Sequence, residues 1–241
     1  MDPYVYEGST VLINHLNITD DKELIEVEAQ FLIAAILEMD TLLETVDFLS
    51  DDSINAVHHY LFSDLYSWAG EYRTINIYKN EPVLNGLSVS YSSASAVSDD
   101  IRSLFTWVKE VEWSMDNTEL TNAFISFIVR LWRIHPFREG NTRTVSIFLK
   151  LFAEKHDIYF NLELISKHSN YFRNALVLAT VEEAPDIQYL SKIIIDALTP
   201  AFLSTHPKTT PSLKNYQQVK GYDSSKYEEK PFYTNEDSEN D

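Results

Sequence analysis

Apolar residues recur at intervals of three and four along most of the chain, and only one short stretch alternates. Leu24, Val27, Phe31 and Ala35 define the inner face of a first helix, which Asp20 and Glu23 open with capping-box spacing and which the pattern carries to about Leu43. Ile54, Val57 and Leu61 repeat the spacing behind Ser50 or Ser53 as the cap. Val97, Ile101, Leu104, Phe105 and Val108 predict a helix to about Trp113, and a loop follows over residues 115–118. Leu120, Ala123, Phe124, Phe127, Ile128, Leu131 and Trp132 form the next apolar face, and Ile147, Phe148, Leu151 and Phe152 the one after it. Tyr171, Phe172, Ala175, Leu178 and Ala179 predict a helix stopped near Pro185, and Leu190, Ile193, Ile194, Ala197 and Leu198 a last one before Pro200. The exception is Thr74 to Tyr78, which alternates, as do Leu87, Val89 and Tyr91 against Ser88 and Ser90. With a turn around Asn80, Glu81 and Pro82, a β-hairpin is expected over about residues 73–91, the only sheet in an otherwise all-α chain. The first 18 residues read as an irregular arm.

Two of these helices flank His135-Pro136-Phe137-Arg138-Glu139-Gly140-Asn141-Thr142-Arg143-Thr144. Pro136 disfavours helical dihedrals at His135, so the first helix is expected to end there and carry the imidazole on its C-terminal edge. Gly140-Asn141 then forms the turn that opens the second helix, where the N–H groups of residues 140–143 lack in-helix acceptors. Such an end attracts anions, Gly permits the positive φ of an anion-binding nest, and Arg143 adds a forked cation. Glu139 is a hard oxygen ligand able to hold Mg²⁺ against a bound nucleotide. His135, with an unperturbed pKa of about 6.5, is suited to take a proton from a hydroxyl near neutrality. The residues alone thus point to phosphoryl or nucleotidyl transfer.

At 241 residues the chain can bury one sizeable core, and one domain over 1–205 is expected. From His206 onward Pro, Ser, Thr, Lys, Tyr and acidic residues replace the apolar period, so residues 206–241 read as an acidic, disordered tail. The formal net charge of −18 argues against attraction to nucleic acid or to an anionic membrane, and a nucleotide site must be locally basic. Arg130, Arg133, Arg138 and Arg143 are placed to supply that field, with helix-surface charge as the other reading of Arg130 and Arg133. The absence of cysteine excludes disulfides and thiol catalysis. The N-terminus lacks the basic region and apolar core of a leader, and the run Phe31 to Leu37 is too short to span a bilayer, so a soluble cytoplasmic protein is expected. His58 reads as a hydrogen-bonded core histidine beside the face of Ile54, Val57 and Leu61, with orientation of the motif loop as its alternative role.

The run from His135 to Arg143 resembles the signature of the Fic/Doc family, His-x-Phe-x-Asp/Glu-Gly-Asn-Gly-Arg-x-x-Arg. The resemblance extends upstream: His58-His59-Tyr60-Leu61-Phe62-Ser63-Asp64-Leu65-Tyr66-Ser67-Trp68-Ala69-Gly70-Glu71-Tyr72-Arg73, followed by Lys79, is similar to the segment these proteins carry before a target-binding hairpin. The two blocks bracket residues 58–149. This implies a mainly helical Fic-like fold with one β-hairpin flap, its motif at 135–146, and transfer of AMP from ATP to a Ser, Thr or Tyr hydroxyl of a target protein. In that resemblance His135 is the base, Glu139 holds Mg²⁺, and Gly140, Asn141, Thr142 and Arg143 surround the phosphates. Ile75, Ile77 and Lys79 of the flap dock the target by strand addition. An antitoxin or other inhibitory partner is a further expectation.

Two positions depart from the family pattern. Thr142 replaces the second Gly, adding a Cβ near the phosphate path and a hydroxyl. Ser146 replaces the second Arg, which in the family holds the terminal phosphates and receives an inhibitory glutamate. Lys150 lies one turn beyond Ser146 but reads as solvated. Two other readings stay open: a relative that uses another phosphate-containing donor or transfers phosphate, and a catalytically weak binding protein. Ser224 to Glu229 in the tail partly resembles the family's inhibitory motif. Thr19 with Glu23, Ser67 with Glu71 and Thr106 with Glu110 share the spacing, so spacing selects nothing and a solvated extension is expected.

Overall fold

The structure, a computed structural model, describes residues 2–200 and 216–223. Asp20 caps α1 (Asp21–Leu37) as its spacing predicts, Oδ1 accepting the Glu23 N–H at 2.9 Å. The helix does not reach Leu43. Glu38 leaves helical dihedrals at φ −117° and ψ 8°, and a separate α2 (Thr41–Thr45) follows, with Met39 and Leu42 buried beyond the break. α3 (Ser53–Phe62) buries Ile54, Val57, His58, Leu61 and Phe62. α4 (Val97–Val108) stops short of Trp113, whose indole N–H instead donates to the Val108 carbonyl at 2.8 Å and so closes the helix end.

The interior is built around α5 (Leu120–Ile134) and α6 (Asn141–Lys155), which pack on one another, with α4 against α5 and α3 against α6. Phe124, Phe127, Ile128, Leu131 and Trp132 of α5 are fully buried. Phe127 meets Phe152 at 5.1 Å and Trp113 meets Phe152 edge-on at 4.9 Å, an aromatic joint that fixes how α5 and α6 face each other. A short α7 (Leu162–Lys167), capped by Asn161, precedes α8 (Ser169–Ala179) and α9 (Gln188–Leu198). Its six residues are too few to display a helical period, which is why the apolar pattern misses it. No helix among the described residues is long and apolar enough to cross a membrane.

The mainly helical class is as expected, but the segment over 73–91 takes a different form from a regular hairpin. Pro82–Leu84 forms a 3-10 turn, with Asn85 in the left-handed region at φ 56°. The limbs are tied by the Glu81 N–H to the Leu87 carbonyl at 3.1 Å and by the Lys79 N–H to Ser88 Oγ at 3.1 Å, with no ladder between them. Pro82 has no N–H to give a ladder and the left-handed Asn85–Gly86 pair tightens the turn, so an irregular loop results. The two-stranded sheet lies elsewhere: β1 (Gln218–Val219) pairs antiparallel with β2 (Tyr222–Asp223). Tyr216 and Val219 are buried beside α8, so part of the stretch expected as a disordered tail is folded onto the domain. The Ser224 to Glu229 segment lies outside the described residues.

Arg73 joins these parts. It is 2% exposed, and its guanidinium donates from Nε to the His135 carbonyl at 2.8 Å, from one terminal nitrogen to Ile75 O at 2.8 Å, and from the other to Ser92 O and Ile134 O. Its own N–H donates to Pro136 O at 2.8 Å. One side chain therefore caps the C-terminus of α5 and clamps both limbs of the 74–91 loop to it. Burial lowers its pKa only to about 10, so the cation persists at neutrality. Replacing Arg73 with Ala strands buried carbonyls at about 1–3 kcal/mol each, and we expect a loss of about 3 kcal/mol or more in urea unfolding. Arg73→Lys restores charge without the fork and should recover less than half; an unchanged unfolding midpoint for either variant would show that the clamp is dispensable.

Candidate active site

His135 ends α5 in the left-handed region, at φ 50° and ψ 61°, so the imidazole leaves the helix while its backbone stays anchored through Arg73. Nδ1 lies 3.1 Å from the Trp132 carbonyl and must donate to it, which leaves Nε2 as the unprotonated nitrogen. Nε2 is buried and has no hydrogen-bond partner among the described residues. Burial holds the pKa well below the usual histidine value, with Lys79, Arg173 and Arg73 adding to the effect against the Trp132 carbonyl. The imidazole rests between Tyr91, whose ring centre is 4.2 Å away, and the edge of Trp132 at 5.1 Å.

The turn after His135 is shaped by buried hydrogen bonds. Asn141 is 3% exposed; its side chain accepts the Phe137 N–H at 2.9 Å and donates to the Phe137 carbonyl at 2.7 Å. Its side chain therefore locks the loop, and what Asn141 can offer a phosphate is its backbone N–H. Gly140 stands at φ 77°, and a Cβ there would meet the Phe62 ring at 2.6 Å, so only glycine fits. His58 is fully buried. Its Nε2 donates to the Glu139 carbonyl at 3.1 Å and its Nδ1 accepts the Gly70 N–H at 2.8 Å, while the ring stacks on Phe137 at 3.8 Å. Burial depresses its pKa to about 3, so this neutral tautomer persists, and both roles considered for His58 are combined in one residue.

Glu139 presents Oε1 to the Gly140 N–H at 2.9 Å and to Arg143 at 3.2 Å, while Oε2 has no bond among the described residues. Burial favours its protonation, but Lys79, Arg143, the Gly140 N–H and Arg138 outweigh that and hold the carboxyl below its usual pKa. Thr142 Oγ1 accepts the Trp132 indole N–H at 3.0 Å, and the Ser146 hydroxyl donates to the Thr142 carbonyl at 2.8 Å. Lys150 pairs with Glu154 at 2.8 Å, in keeping with its solvated reading. Arg143 also binds Glu28 of α1 and lies over Phe62 at 5.2 Å. Arg138 is held by Asp2 at 2.7 and 3.0 Å. Arg133 meets Glu182 in an exposed pair and Arg130 covers the Trp107 ring at 4.8 Å, so the surface-charge reading of these two is the one observed.

The expected flap residues diverge. Ile77 is buried and Ile75 half-buried with its carbonyl taken by Arg73, so neither stands as a bare strand edge. Lys79 is half-buried, and burial lowers its pKa to about 7, against the opposing pull of Glu139 and Glu81. Three residues beside the site escaped the sequence reading. Glu28, which accepts from Arg143 and from the Tyr66 hydroxyl, occupies an inward position of an otherwise apolar face. Glu81 and Arg173 form a buried bidentate pair at 2.6 and 2.7 Å. Arg173 interrupts the buried run from Tyr171 to Ala179, a signal that the sequence does carry. No group of three His, Cys, Asp or Glu side chains among the described residues has the arrangement of a metal cage.

A sequence model of the Fic/DOC family matches residues 48–153, which cover α3 to α6 and the turn between α5 and α6. The probable protein adenylyltransferase y4lH of Sinorhizobium fredii is 31% identical over 159 residues, covering 62% of this chain and 74% of that protein. The protein adenylyltransferase VbhT of Bartonella schoenbuchensis is 26% identical over 166 residues, 69% of this chain but only 34% of its own length. The crystal structure of the effector BepC from Bartonella tribocorum, with AMPPNP bound, matches with a TM-score of 0.67 at 17% identity, over 82% of this chain and 96% of that one. That last likeness concerns the fold, while the sequence matches and the ordered motif place the ancestry: the chain belongs to the Fic/DOC family.

Proposed function

We propose that the chain transfers AMP from ATP to a hydroxyl side chain of a target protein. The observation that carries this reading is His135, whose Nδ1 is fixed and whose buried Nε2 is left as an acceptor just ahead of the first turn of α6. Nε2 takes the hydroxyl proton, the hydroxyl oxygen bonds to the α-phosphorus, and the bond from that phosphorus to the oxygen bridging to the β-phosphate breaks. Pyrophosphate leaves. The first-turn N–H groups of α6 and the Arg143 guanidinium hold phosphate oxygens. The loop over 74–91, beside the base, docks the target. With ATP as donor, the reaction belongs to the cytoplasm.

Glu139 fits a single-carboxylate Mg²⁺ site, being ionised with Oε2 open, and the remaining ligands would come from the nucleotide and water. Bound there, Mg²⁺ would neutralise phosphate charge. A second reading, in which another phosphate-containing donor is used, is favoured by Ser146, whose hydroxyl is spent on the helix backbone and brings no cation.

Label in the α-position of ATP should appear on protein and label in the γ-position should not; γ-label on protein would sink AMP transfer in favour of phosphorylation, and neither label would favour another donor. His135→Ala should bind ATP normally yet transfer about 10²–10⁴-fold more slowly. A wild-type rate in that variant would remove His135 from the chemistry.

Because burial and the cations Lys79, Arg173 and Arg73 depress the His135 pKa, its basic form survives as pH falls. The rate should stay flat from about pH 8 to about pH 6.5 and decline only below. Lys79 titrates at about 7, so the same profile in Lys79→Met separates the two groups. An acid limb at or above about pH 6.5 in both proteins would assign rate control to another group.

Without metal, the Glu139 carboxylate repels phosphate. In calorimetry, wild-type ATP affinity should therefore rise with Mg²⁺, and Glu139→Ala should lose most of that dependence. Equal metal dependence in the two proteins would refute the ligand assignment.

A further inference from the structure

Four side chains from three parts of the fold close a circuit around the base. Tyr91, in the loop before α4, lies with its ring 4.2 Å from the His135 imidazole, and its hydroxyl donates to Glu81 Oε1 at 3.3 Å. Glu81 takes both arms of Arg173 from α8, in a pair whose side chains are 1% and 9% exposed. The Arg173 guanidinium lies 5.9 Å from the centre of Trp132, and Trp132 supplies both the edge at 5.1 Å from the imidazole and the carbonyl that receives Nδ1–H. Every member is held by its neighbours, so the imidazole plane is set from outside the motif.

The energetic asymmetry shows what the pair does. A buried ion pair adds little net stability over apolar packing of the same shape, yet it fixes geometry because breaking it leaves an uncompensated charge. Here the geometry fixed is that of an irregular loop with few cross-limb bonds, which by itself would leave Tyr91 loosely placed. We infer that Glu81 and Arg173 are positioning residues for the base: their buried pair sets Tyr91, and the Tyr91 ring holds the His135 imidazole with Nε2 toward the reacting hydroxyl. This rests on the base role proposed for His135.

The test uses the full chain with ¹⁵N-labelled histidine, His135 being assigned with His135→Gln. Wild type should show a single tautomer protonated on Nδ1. Tyr91→Ala and Glu81→Gln should each move the His135 nitrogen signals toward a mixture of tautomers. The double variant Glu81→Leu/Arg173→Leu removes both buried charges together, so it avoids a stranded ion, and it should show the same change. At saturating ATP, transfer should fall about ten- to a hundredfold in Tyr91→Ala and in Glu81→Gln, with ATP affinity within about twofold of wild type. Glu81→Gln combined with Tyr91→Ala should be no slower than Tyr91→Ala alone, since Glu81 acts through Tyr91. Unchanged His135 signals, losses that multiply, or a loss confined to ATP affinity would each overturn the inference. If wild type transferred no AMP, the proposed function would fall, while the nitrogen spectra would still decide whether Glu81 and Arg173 set the imidazole.

Discussion

The bond that the site depends on most is the one between the Arg73 guanidinium and the end of α5. A helix that stops in the interior exposes carbonyls to a medium without water, and the cost of leaving several unpaired rivals the net stability of a small domain. Arg73 meets that demand with one planar fork and binds Ile75 and Ser92 with the rest of it. Because the same residue caps the helix and anchors the loop, the position of His135 and the position of the loop that faces it are not independent. His135 can then hold the left-handed conformation, uncommon for a side chain with a Cβ, without local compensation.

Charge is the second organising theme. The chain is strongly acidic, yet the site gathers Lys79, Arg138, Arg143 and Arg173, and each faces a carboxylate: Glu139, Asp2, Glu28 and Glu81. These carboxylates hold the cations in place, since unpaired cations so close together would repel and splay. The consequence is competition. Arg143 already divides its donors between Glu28 and Glu139, so its pull on any further anion is a difference between ion pairs and not the full charge of the cation.

Much of this was legible in the sequence. The decapeptide from His135 to Thr144 announced the helix end, the turn and the start of the next helix, because glycine and proline each constrain the backbone in ways that no distant contact changes. The helices of the core followed from their period. What the sequence hid were pairings between residues far apart in the chain, such as Arg73 with Ser92 or Glu81 with Arg173, for which single residues carry no partner label. Even there a trace existed: Glu28 and Arg173 break apolar faces, and a charge on an inward face must find an opposite charge or a capping role. The loop over 74–91 misled for a different reason. Alternation records which side chains turn inward, and Ile77 does turn inward, but it does not record whether the backbone finds a ladder partner.

The two departures from the family pattern are linked in the structure. Thr142 accepts the Trp132 indole and its carbonyl receives the Ser146 hydroxyl, so both substitutions are absorbed by bonds within α5 and α6. The turn is undisturbed, because the positive φ falls at Gly140 and Thr142 already lies inside the helix, where a Cβ is no burden. What is lost is a cation one turn along α6. The cations whose charge acts on the His135 imidazole, Lys79 and Arg73 on the segment before α4 and Arg173 on α8, all lie outside the motif helix. The Glu81–Arg173 pair ties the loop to α8, so the charge around His135 is set by elements that the motif itself does not contain.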